Sequence, residues 1–137
     1  MDEKTFLQDV ATRLACDARR ADAVTFAVFQ ALRNRLTPHE AADVAAQLPT
    51  GLKRLWDTGD AVDRRPERIH RAEFLGRVRT HAVLPDDAEA ERAVRAVFAT
   101  LQRLLGSRTG LEGEAWDVFS QLPKDLKQLW VEAAAGV

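Results

Sequence analysis

The chain has 137 residues, 46% hydrophobic and 30% charged, a balance that excludes a disordered chain and suffices for one domain with its own core. Its formal net charge of −1 excludes a global field that would draw it to nucleic acid or an anionic membrane. One cysteine, Cys16, excludes an internal disulfide and a multi-cysteine metal site. With no apolar run of about 20 residues and no signal-peptide core, the cytoplasm is the expected compartment.

In chain order, Phe6, Leu7, Val10 and Leu14 fall at i, i+1, i+4 and i+8, which fits a helical period and not alternation. A second helix is predicted over roughly 22–36, where Val24, Val28, Ala31 and Leu32 form one stripe with Phe29 beside it. A third opens at Thr37 as N-cap, with Pro38 in the first helical position and Glu40 closing a capping box. It should end near Gln47, because Pro49 disfavours the α conformation at Leu48. Pro49 then opens a short fourth helix carrying Leu52, Leu55 and Trp56. A linker over 58–70 contains Gly59 and Pro66 and mixes Asp60, Asp63 and Glu67 with Arg64, Arg65 and Arg68. A fifth helix begins near Arg71, and a sixth is capped by Asp86 with Glu89 three residues on. A seventh starts near Gly113, and an eighth follows Pro123.

The last four elements repeat the first four. Phe6, Leu7 and Val10 return as Phe74, Leu75 and Val78, an offset of 68. Ala21, Ala27, Val28, Phe29, Leu32 and Leu36 return 69 residues later, from Ala90 to Leu105. Glu40, Asp43, Gln47, Leu48 and Pro49 return as Glu114, Asp117, Gln121, Leu122 and Pro123, an offset of 74 that Lys53 and Lys127 share. The jump from 69 to 74 is a five-residue insertion in the Gly-containing stretch 106–113. Short amphipathic helices are marginal alone and must pack on one another. The expected fold is therefore all-α, about eight short helices in two tandem four-helix repeats packed with pseudo-two-fold symmetry. The expected organisation is one domain over 1–137, with repeats at 3–57 and 71–133 joined by the linker 58–70.

The repeated strings F-L-x-x-V at each opening and E-A-x-D-V-A-A-Q-L-P at 40–49 resemble those of a bacterial family, the domain-of-unknown-function 2267 family, from Phe6 to Trp130. The second copy departs from the pattern, reading E-A-W-D-V-F-S-Q-L-P at 114–123, and its third helix is expected to pack bulkier groups. The resemblance implies a helical, duplicated architecture and brings no catalytic residues and no cofactor.

Among polar groups, the paired carboxylates Glu40/Asp43 and Glu114/Asp117 are the metal-ligand candidates, since three-residue spacing puts both members on one helix face. No Glu-x-x-His accompanies them, and first-turn acids also serve the helix dipole and the cap, the reading given more weight. His39, His70 and His81 are too far apart to form a helical metal pair. Cys16 lacks a recognisable His partner and reads as a small, partly buried thiol. Neither Ser107 nor Ser120 lies in a nucleophile elbow, and the glycines lack the lysine of a phosphate loop.

The segment 64–71 is the basic cluster, and its Arg64, Arg65 and Arg68 are candidates for contacting a partner or phosphates. Flanking Asp57, Asp60, Asp63 and Glu73 make a solvated, nearly neutral linker the weightier account. Trp56 and Trp130, equivalent after each Q-L-P turn, either anchor a partner or close each copy against its own first helix, and core has the stronger claim. The expected function is a non-enzymatic interaction module binding a protein partner or itself. A ligand- or metal-binding bundle using the paired carboxylates and a weak nucleic-acid binder using the Arg-rich linker are the alternatives.

Overall fold

Eight α-helices and no strand are present among the residues described, 1–61 and 63–136, in the computed structural model. Val62, inside the expected linker, and Val137, at the end of the expected domain, lie outside them. The helices are α1 Glu3–Leu14, α2 Ala18–Arg35, α3 Pro38–Ala45, α4 Thr50–Asp57, α5 Arg71–Ala82, α6 Asp87–Leu104, α7 Glu114–Gln121 and α8 Lys124–Ala134. Their lengths run 12, 18, 8 and 8 residues, then 12, 18, 8 and 11.

Local chemistry sets most of these boundaries. Thr37 accepts from the Glu40 N–H at 3.1 Å while the Glu40 carboxylate accepts from the Thr37 N–H at 2.9 Å, the expected reciprocal cap of α3. Asp86 caps α6 by accepting from the Glu89 N–H at 2.9 Å. Helix α2 begins at Ala18, a turn earlier than its apolar stripe announces, because Asp17 accepts from the Arg20 N–H at 2.8 Å. Helices α1 and α5 both end on a residue in the left-handed region, Ala15 at φ 52° and Val83 at φ 54°, whose N–H groups satisfy the last carbonyls.

The long helices form the centre. Helix α1 packs on α2 and on α6, α5 packs on α6 and on α2, and α2 touches α6 between them. Helix α4 covers α2, α8 covers α6, and α3 meets α7. One continuous core results, with Phe6, Phe29 and Trp56 at one end and Phe74, Phe98 and Trp130 at the other. The Phe29 ring lies 6.0 Å from Phe6 and 5.4 Å from Trp56, and Phe98 lies 5.3 Å from Trp130, separations worth about 1 kcal/mol each beyond the area buried. Each indole thus rests on a phenylalanine of a long helix, and α4, which carries Trp56, also meets α1.

Polar groups tie the halves together where side chains cross. Asp9 on α1 accepts from the Thr100 hydroxyl at 2.7 Å and from Arg103 at 2.7 Å, both on α6, and from Arg13 at 2.9 Å. Arg35 at the end of α2 donates to both oxygens of Asp125 on α8, at 3.1 and 3.0 Å. Such charge-assisted contacts fix the relative placement of elements more than they add net stability.

Candidate functional site

The paired carboxylates separate into different roles. Glu40 is spent on the α3 cap, and Asp43 stands 3.6 Å from the exposed His39. Because α3 meets α7, Asp43 and Asp117 do line one cleft, about 350 Å³ in volume, together with Gln47 and Gln121. Glu40 and Glu114 are not among the residues that line it. Among the described residues no three His, Cys, Asp or Glu side chains are grouped so as to share a metal ion.

Around the linker, arginines bind backbone. Arg64 donates to the Leu36 carbonyl at 2.6 Å and pairs with Asp60 at 2.5 Å, while Arg65 and Arg68 are exposed. Arg71 pairs with Glu91 of α6. The Glu67 N–H donates to the Asn34 carbonyl at 2.8 Å, so the linker runs back along the end of α2. Sequence reasoning missed the residue that organises this end. Arg33 is 1% exposed and donates to the carbonyls of Trp56 at 3.0 Å and Thr58 at 2.7 Å. Burial pushes its guanidinium below the ordinary value and the Arg64 charge adds to that, against Asp60 and Asp57. Its partner in the other half is Gln102, whose amide donates to the Trp130 carbonyl at 2.9 Å. A polar residue on a core-facing helix position was the available signal.

Cys16 is half-buried, and burial, with Asp17 adding to it, raises the thiol above its usual value against Arg20 and Arg92. A thiol so placed is mostly protonated at neutral pH and a poor nucleophile.

The three tryptophans divide by environment. Trp56 is 1% exposed and donates its indole N–H to the Ala41 carbonyl at 3.0 Å. Trp130 is 0% exposed and donates to the Gly110 carbonyl at 2.7 Å. Indoles enclosed in this way offer no face to a partner while the fold is intact. Trp116 is the opposite case. Its helix was expected to pack bulkier groups, yet Trp116 is 50% exposed, because Ala115 and Val118 take the buried stripe of α7. Its ring packs against Phe119 at a tilt of 35° with centroids 5.4 Å apart, and the Lys127 ammonium stands 5.3 Å over the Phe119 ring.

Phe119 continues this surface into a cleft of about 690 Å³, between α7, α8 and the end of α2, whose walls include Arg35, His70, Lys124 and Val131. Val131 is itself exposed, so the patch is an apolar surface with a basic border. The sequence offered a clue, since Trp116 and Phe119 fall against Ala42 and Ala45 at the 74-residue offset.

The sequence pattern of one family, described as an uncharacterized conserved protein (DUF2267), matches residues 3–129. No curated protein matches the chain. No helix among the described residues is long and apolar enough to cross a membrane.

Proposed function

The chain belongs to the DUF2267 family, and from that premise we propose that it is a non-enzymatic, duplicated helical module that docks a protein partner or a second copy of itself. The observation that carries this reading is Trp116, half exposed and packed against Phe119 on a molecule whose other two indoles are fully enclosed. Leaving a large aromatic surface in water forgoes roughly 25 cal/mol for each Å² that a partner would cover. Contiguous exposed apolar patches on small proteins commonly mark contact surfaces.

Several features support the duplication within this reading. Arg33 and Gln102, 69 residues apart, each hold the carbonyl of a tryptophan. Ala15 and Val83, 68 apart, end their helices in the same left-handed conformation. The exchange of partners among α1, α2, α5 and α6 is the pattern a pseudo-two-fold axis produces.

Light scattering on the purified chain, with a pull-down from the native cell, tests the proposal. We expect either a dimer or a retained protein, in both cases weakened at least tenfold by Trp116→Ala. A strict monomer that retains nothing refutes it.

A further inference from the structure

Resting on that reading, we infer that the occupant of the α7–α8 face is an acidic peptide segment carrying large apolar side chains, seated in the cleft beside Trp116. The cleft's apolar wall is built from Phe119, Pro123 and Val131, and its volume of about 690 Å³ accepts several side chains. Its charge is one-sided. Asp125 is the carboxylate in the wall, and both of its oxygens are already engaged by Arg35. Lys124 and Lys127 therefore have no compensating charge inside the cleft. Among the described residues neither lysine is ion-paired, and Lys127 lies over an aromatic ring instead of against a carboxylate.

The first half shows that the fold does not need these groups. At the 74-residue offset, Ala42, Ala45 and Asp57 stand where the second half has Trp116, Phe119 and Val131, while Lys53 matches Lys127. The first-half site thus combines small side chains with an acid, and the second-half site combines aromatic surface with unpaired cations. Phe119 packs in part against the core, but Trp116 is half exposed, which leaves its surface free for contact outside the chain.

Charge decides between occupants. A second copy meeting this face symmetrically would set Lys124 and Lys127 against themselves, and like-charge juxtaposition opposes association. A segment with acidic residues beside Leu, Phe or Trp satisfies both the wall and the border, as amphipathic helices do in apolar grooves.

The test is selection of a phage-displayed random peptide library on the intact chain, with the winning peptides measured on variants. We expect enriched sequences to combine Asp or Glu with large apolar residues, and to bind at least tenfold more weakly to Lys124→Glu/Lys127→Glu. Binding to the wild type should also weaken as salt rises, a readout that stands even if the double variant folds poorly. Basic or neutral winners, or peptides indifferent to the lysines and to salt, overturn the inference. So does binding of phosphatidylserine vesicles that Trp116→Ala abolishes, which would make the patch a membrane contact. A library that yields nothing while the chain forms a dimer sensitive to Trp116→Ala sinks this inference and leaves the broader proposal standing. A library that yields nothing from a strict monomer that retains no protein sinks both.

Discussion

Asp9 is the most heavily engaged carboxylate that joins the two halves, and its titration has a readable consequence. Burial of the carboxyl acts to raise its pKa, but hydrogen bonds from Arg13 and Thr100 and the charges of Arg13 and Arg103 outweigh it, so the group sits below the usual aspartate value. A depressed pKa means that the stabilisation is fully present above the unfolded value, about pH 4, and is lost as pH falls through the folded one. We expect Asp9→Asn to lower stability at neutral pH by about 1 kcal/mol, as charge-assisted bonds become neutral ones. Below pH 4 the wild type should converge on the variant. Urea denaturation at neutral and acidic pH checks this. A gap between the two proteins that does not narrow with acid would contradict the assignment. Nothing in the sequence announced this role, because an aspartate between apolar stripe positions reads as solvated surface.

At the scale of elements, the stretch 106–113 is a loop with a specific task. Glu112 accepts from the N–H groups of Arg108 and Thr109 at 3.1 and 3.2 Å, and the Ser107 hydroxyl accepts from the Gly110 N–H at 2.9 Å. The loop presents the Gly110 carbonyl to the Trp130 indole, a duty that Ala41 on α3 performs for Trp56. Gly110 has φ +78°, and a Cβ there would lie 2.6 Å from the indole nitrogen of Trp130 and 2.7 Å from the amide nitrogen of Gln102. Both neighbours are buried, so neither can yield. We expect Gly110→Ala to cost about 3 kcal/mol, from left-handed strain and overpacking together, seen as a lower denaturation midpoint. A change under about 0.5 kcal/mol, the range of ordinary surface substitutions, would show that the loop is not bearing on the core.

The sequence made the loop legible as a loop, through its glycines, but not its contact with Trp130, which needs the third dimension. The helix starts capped by Thr37 and Asp86 were legible because a cap is a local event. The early start of α2 was not, because the apolar stripe was followed in preference to Asp17. Arg33 and Gln102 were missed for a related reason: a long polar side chain on an amphipathic helix reads as surface until its backbone partner is known. Trp116 was not singled out in the string, although it lies one step off the buried Ala115 and Val118. The candidate site was thus present in the string as a mismatch at the 74-residue offset and became visible only through exposure.

For the whole molecule, the decisive fact is that α1 and α5 each pack on both long helices, α2 and α6. Helix α1 covers α6 and α5 covers α2, so a half alone leaves its 18-residue helix with an uncovered stripe. A polypeptide of residues 1–61 should accordingly show little helical circular dichroism by itself and gain it on mixing with 63–137. Two-thirds or more of the native signal in the isolated piece would show that the halves fold independently. Domains of this size usually unfold as one cooperative unit, and shared covering is a physical reason to expect it here.

The same lacing has a mechanical meaning for the α7–α8 face. Helix α8 lies on α6 and is held to α2 through Arg35 and Asp125, so the α8 wall of the cleft is anchored to both long helices at once. A hinge between the halves has nowhere to act. Whatever lands on that face meets a pre-shaped anvil, and its arrival should be felt as stiffening of α7 alone.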